Sequence, residues 1–291
     1  MRILLFTFVV LFFSTTSHSQ NQEEFPYHLK KHQFFIYWGW NRGWFSRSDI
    51  HFHGSQYDFL LAKVVAHDKQ NPVGLDPYLN PGSITVPQTN VRIGYFLSDH
   101  WSLSLGLDHM KYIMDADQVV RITGVIRNSH TIYDGVYNDE KIRLTEDFLQ
   151  FEHTNGLNYI HVSLRRHDTL FSLRRFHLPN IVFNFIEGLE GGPLLPKTNT
   201  TLLGYARYDE FHLAGYGLSA MAGLNITFLD YFFVQSEWKG GFCNMPDIRT
   251  TEFSSDRADQ HFFFGQLNLL VGANFKIGNS NSKRRRKDIV P

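Results

Sequence analysis

A single cysteine, Cys243, stands in 291 residues. That excludes an intramolecular disulfide framework and a cysteine-rich zinc site. Charge of either sign is scarce and balanced, with 28 Lys+Arg against 28 Asp+Glu and only 19% charged residues, so the surface as a whole is not that of a nucleic-acid binder. Long apolar runs are missing as well: after residue 20 no stretch is long enough for a membrane helix. There is no serine elbow, glycine-rich phosphate loop or zinc-protease helix motif, and no cofactor is implied. No internal repeat is evident. Disorder is excluded by what is present, since 43% of the chain is apolar and 15% is Phe, Tyr or Trp.

The first residues, MRILLFTFVVLFFSTTSHSQ, read as an export signal. Arg2 supplies the positive start, and Ile3 to Phe13 are apolar at ten of eleven positions. Eleven residues rise about 16 Å as a helix, roughly half a bilayer core, so the segment does not span. Ser17-His18-Ser19 offers small residues for cleavage before Gln20.

Beyond it the chain alternates with period two. In residues 212–228, Tyr216, Leu218, Ala220, Ala222, Leu224, Ile226 and Phe228 share one face, opposed by Gly, Ser, Asn and Thr with one methionine, Met221. The faces of the next strand (Phe232, Val234, Trp238) match only if Phe228 lies opposite Phe232, which makes Leu229-Asp230-Tyr231 a three-residue turn. Ser98-Asp99-His100 joins Val91–Leu97 to Trp101–Leu107 in the same way, and residues 261–277 close the series.

A soluble sandwich would bury the apolar faces, whereas a membrane barrel would turn them to lipid. Strands of 12 to 17 residues exceed the usual globular length and suffice for a tilted span. Small polar residues suit a narrow interior, and aromatics cluster near strand ends as interfacial girdles do. Lipid satisfies no backbone groups, so such a sheet must close. The expected fold class is therefore all-β: a closed antiparallel transmembrane β-barrel of ten to twelve strands. The chain resembles the outer-membrane β-barrel proteins of Gram-negative bacteria over residues 33–277. The sharpest motif is the terminal strand, where Gly272, Phe275 and Ile277 fit the assembly signal of such proteins and Leu270 departs from it. The resemblance implies recognition by the barrel-assembly machinery, an outer-membrane location and lipid as the surrounding partner. A monomer is expected, with no nucleic-acid partner.

Ten strands are expected at 33–44, 49–61, 89–97, 101–114, 118–127, 148–164, 176–189, 211–228, 232–242 and 261–277. Long connections fall at 128–147, 190–210 and 243–260. The division is then a signal peptide at 1–19, a periplasmic segment at 20–32, the barrel at 33–277 and a basic periplasmic tail at 278–291. Counting back from a periplasmic C-terminus places the turn at 98–100 outside, so 67–88 is either a periplasmic excursion or hides a missed strand pair.

Three sets of residues could carry chemistry. Glu152-His153-Thr154-Asn155 is similar to the His-x-Ser-Asn segment of outer-membrane phospholipases and lipid A deacylases, but Asn155 stands where their serine would be. A hydrolase would need His153 to reach Ser163 or Thr154. His51 and His53 share a strand face near Asp49 and Asp58, which could begin a metal site, although spacing two is unspecific among 15 histidines. Arg92, Asp108, Arg121, Glu237, Lys239 and Lys276 form an expected lumen network, with Gln235, Gln266 and Asn268 on the same faces. Paired inside a narrow bore, these charges would plug it. The function expected is a non-enzymatic envelope role, by structure or through the outer loops. The alternatives are a lipid-modifying hydrolase using His153 and a narrow passive channel.

Overall fold

The computed structural model describes residues 30–69, 71, 88–173 and 180–277. The signal peptide, most of the 20–32 segment and the basic tail lie outside the described residues. Among the described residues the regular structure is all strand. The first four strands are β1 (Phe34–Phe45), β2 (Ser48–His53), β3 (Tyr57–Val64) and β4 (Ala66–Asp68). Next come β5 (Thr89–Phe96), β6 (Trp101–Met114), β7 (Val119–Ile126), β8 (Gly135–Arg143) and β9 (Leu149–Ser172). The last five are β10 (Ile181–Pro196), β11 (Asn199–Leu202), β12 (Gly215–Phe228), β13 (Phe232–Arg249) and β14 (Arg257–Phe275).

Eight of these strands form a ring. The antiparallel pairings run β1-β5-β6-β9-β10-β12-β13-β14, and β14 pairs back onto β1 from Phe34↔Phe275 to Phe45↔Phe264. The expected class is present, but the ring holds eight strands rather than ten to twelve. The others build a second layer of pairing at the end remote from Phe34 and Phe275. There β14 leaves β1 and continues on β2, and the ladder extends through β3 and β7 to β8.

Side-chain distribution is inside out relative to a soluble protein. On β14, Phe263, Leu269 and Val271 are exposed, whereas Gln266 and Asn268 are fully buried. The same holds on β6, where Leu103, Leu105 and Leu107 face out while Ser102, Ser104 and Asp108 face in. From Phe263 to Ala273 the outward face of β14 holds no charged residue. Ten residue steps at about 3.3 Å, tilted about 40°, give an apolar band roughly 25 Å tall. Beyond Phe263 the same face turns polar with His261 and Asp259.

Both expected turns are in register. Phe228 pairs with Phe232, and the intervening Leu229 and Asp230 adopt φ of 52° and 68°. Leu97 N–H donates to Trp101 O at 2.8 Å. The turn at 98–100 lies at the end of the ring where β1 begins and β14 ends, because Phe34 pairs with Tyr95 as well as Phe275. The turn is therefore on the same side as the end of β14, not on the opposite side as the count back from that end had it. The start of the 67–88 segment is at the opposite end, where Ala66–Asp68 pairs with Tyr112–Met114. The physical reason is the missed pair: 49–61 is not one strand but a hairpin, β2 and β3, turned at Gly54-Ser55-Gln56.

Candidate functional site

The bore is filled in three tiers. At the terminal end Phe35, Tyr37, Phe96, Phe233 and Leu270 form a small apolar plug. Gly272 makes room for it, since a Cβ there would lie 2.5 Å from the Phe233 ring and 2.6 Å from Tyr37 Cβ. A cavity of about 20 Å³ beside Phe35, Phe96 and His167 is the space left, enough for about one water. At the far end a larger core packs Phe52, Phe59, Tyr112, Phe148, Phe151 and Phe262. Phe52 stacks on Phe59 at 5.3 Å and meets Phe151 edge-on at 5.5 Å.

Between the two lies a buried ionic network. Glu190 Oε1 accepts from Arg92 Nη1 and Arg165 Nη2, both at 2.6 Å, while Lys239 Nζ lies 2.6 Å from Glu190 Oε2. Lys239 also donates to Asp108, and Arg165 Nη1 donates to Glu237 at 2.5 Å. Three cations face three carboxylates, and each of these side chains is at most 1% exposed. Desolvated charges persist when paired in this way. Tyr37 hydroxyl donates to Glu237 at 3.3 Å, tying the network to the plug below.

Of the expected lumen set, Arg92, Asp108, Glu237 and Lys239 belong to this network, and Gln235, Gln266 and Asn268 are buried beside it. Arg121 does not. It lies on β7, outside the ring, and pairs with Asp139 at 2.7 Å on the surface. Lys276 is exposed too, because β14 ends at Phe275 and the alternation no longer holds beyond it. Arg165 and Glu190 were hidden because their strands run further than expected, to Ser172 and Pro196. The alternations Ser163-Arg165-His167 and Ile186-Gly188-Glu190 carried the signal.

Asp108, His161 and Glu190 bring donor atoms within 4.8 Å of one another, as metal ligands do. The ammonium of Lys239 bonds both carboxylates, and His161 Nδ1 meets Ser163 Oγ at 3.1 Å. The protein's own cations occupy the place a metal ion would take.

His153 is inward and fully buried, between the rings of Tyr112 at 5.4 Å and Phe151 at 5.0 Å. Its Nδ1 bonds Thr198 Oγ1 at 2.9 Å, whereas Thr154 Oγ1 donates to Glu152. Ser163 is ten residues along β9, about 33 Å at strand rise, and bonds Arg92 and Glu190 instead. The structure does not bring the expected base and nucleophile together.

His51 and His53 stand on the outer surface, just beyond the apolar band. Their rings stack at 5.6 Å with an interplanar angle of 19°. Asp58 Oδ1 is 2.7 Å from His51 Nε2, and Asp259 Oδ2 is 2.9 Å from His51 Nδ1. Desolvation pulls the His51 pKa down, but the hydrogen bonds to Asp58 and Asp259 outweigh it and the net shift is upward. Asp49 is apart from this group, accepting from the Lys63 backbone N–H at 2.7 Å.

No protein-family model and no curated protein sequence matches the chain. Among solved structures it is similar to the outer membrane protein OprG from Pseudomonas aeruginosa, at 9% identity and TM-score 0.39, covering 85% of this chain and 98% of that one. It is also similar to Ail, the attachment invasion locus protein of Yersinia pestis, at 8% identity and TM-score 0.28, covering 84% and 99%. The ring of pairings and its apolar outer band define the barrel fold independently of these likenesses.

Proposed function

We propose that the protein is an outer-membrane β-barrel with a sealed bore, serving the envelope without catalysis through its structure and through the sheet beyond the apolar band. One observation carries this reading: the six-charge network fills the ring between two apolar plugs. An eight-strand ring is narrow enough for side chains to close it. Export by the 1–19 signal, surrounding outer-membrane lipid and insertion by the assembly machinery through the β14 end complete the picture. The start of β1 and the end of β14 then face the periplasm, and β2, β3, β7, β8 and β11 face outward. The burial of His153 counts against a lipid hydrolase, whose base must reach substrate.

The test is a folding and permeability assay on the mature chain. It should need detergent, migrate differently on gels before and after heating, and leave sugar-loaded liposomes unswollen. A soluble mature chain would end the barrel reading, and rapid swelling by small sugars would make a passive channel the better function.

A further inference from the structure

We infer that His51 is a proton-dependent clasp across three strands: as an imidazolium it ties β14, β2 and β3 together beyond the apolar band, and on losing its proton it releases one of them. The geometry demands the charge. Asp58 Oδ1 lies 2.7 Å from His51 Nε2, and Asp259 Oδ2 lies 2.9 Å from Nδ1. An ionised carboxylate only accepts, so both ring nitrogens must donate, and a neutral imidazole has a single N–H. Bonds of this kind are charge-assisted. With both nitrogens taken, the ring offers a metal ion no lone pair.

The clasp sits where the ring hands over to the outer sheet. Asp259 faces His51 in register on β14, and Asp58 on β3, opposite His53, reaches the same imidazole from the other side. Among the described residues β2 is held to β14 by four residue pairs, from Arg257↔His53 to Gln260↔Ile50. It is also the strand through which β3, β7 and β8 join the sheet. Other charged groups on this face are engaged elsewhere. Arg257 is taken by Asp247, which also holds His212. Asp49 accepts from the Lys63 backbone N–H, and Arg121 on β7 pairs with Asp139. His53 stacks on the His51 ring at 5.6 Å. His261 and Asn244 line the same open cavity of about 400 Å³, which gives water access to the clasp.

Deprotonation removes one N–H, so either the bond to β14 or the bond to β3 is lost, and a carboxylate is left facing a ring lone pair. Desolvation lowers the His51 pKa, but the bonds to Asp58 and Asp259 outweigh it and leave it raised. A raised histidine pKa contributes stability that is complete below the unfolded value, about 6.5, and is lost as pH rises through the folded one. The outer sheet is thus held more tightly in mildly acid surroundings than in alkaline ones.

The test is nitrogen NMR of the detergent-folded full chain carrying isotope-labelled histidine, with hydrogen exchange measured over 48–64 from about pH 6 to about pH 9. At the acid end His51 should show two protonated ring nitrogens, its signals assigned by their loss in His51→Gln. After correction for intrinsic rates, exchange should rise as pH climbs through that titration, by at most about tenfold per pH unit, the slope of one linked proton. His51→Gln, with no proton to lose, should show no such rise, whereas His53→Gln keeps it. A His51 ring neutral at about pH 6, wild-type exchange that ignores pH, or a rise unchanged in His51→Gln overturns the clasp. Should the variant fail to fold, the wild-type titration and His53→Gln still decide. None of these results bears on the sealed bore.

Discussion

Lys239 and Glu190 meet inside the bore at 2.6 Å although their strands, β13 and β10, are separated by β12, and Lys239 reaches on to Asp108 of β6 at the opposite side of the ring. Both side chains are fully buried. The contact therefore closes the lumen, where a pair between neighbouring strands would only line its wall. Glu190 serves Arg92 and Arg165 as well, whereas Glu237 serves Arg165.

That asymmetry orders two substitutions. Glu190→Gln leaves three buried cations short of a partner and should destabilise the barrel by about 3–5 kcal/mol. Glu237→Gln should cost less. Urea unfolding in detergent measures both, and a smaller loss for Glu190→Gln would contradict the assignment of Glu190 as the hub.

Gly272 lies under Tyr37 and Phe233, and a Cβ there would also come 2.5 Å from the Ile36 carbonyl oxygen. Backbone cannot yield cheaply, so Gly272→Ala should cost about 1–3 kcal/mol by overpacking. Unfolding midpoints compared with Gly240→Ala, whose Cβ meets nothing within 4 Å, isolate the effect. Equal midpoints would show that the plug tolerates a methyl group.

His153 is a packing residue in this account. His153→Ala should destabilise the far-end core, by about 2–5 kcal/mol on the scale of large-to-small core changes. Wild-type barrel offered phospholipid and lipid A should release no fatty acid. Release that vanishes in a folded His153→Ala barrel would reinstate the hydrolase.

The outer ribbon should loosen in acid. The Asp134 carboxylate accepts from Ser129, which holds its pKa below the usual range, and Thr145 and Tyr133 do the same for Asp147. A depressed carboxylate pKa contributes stability above its unfolded value, about 3.9, that is lost as pH falls through the folded one. Hydrogen exchange over 128–147 should therefore rise below about pH 4 while the ring stays protected. Exchange independent of pH, after correction for intrinsic rates, would remove these carboxylates as clamps.

Much of the ring was legible because one face of each strand is apolar and the turns preserve that face: Phe228 opposite Phe232 follows from alternation alone. The outer sheet was not legible, for local reasons. In β8, Gly135–Arg143, most residues are exposed on both faces, so no period-two signal exists. The β2–β3 hairpin was concealed because apolar and polar residues alternate on both sides of the turn, yet its inward residues change from Ile50 and Phe52 to Tyr57, Phe59 and Leu61. That change of parity across Gly54-Ser55-Gln56 was the available sign of a turn. Arg121 alternates as a lumen residue would, but alternation reports a face and not whether the strand joins the ring. The pairing of His51 with Asp259 spans 208 residues, which no local pattern reveals.

The sealed bore is tested most directly by single-channel recording of the purified, folded protein in planar bilayers. With the network of Arg92, Arg165, Lys239, Asp108, Glu190 and Glu237 intact, no large, stable conductance should appear. Reproducible porin-like steps from the wild-type barrel would show a water-filled lumen and contradict the account.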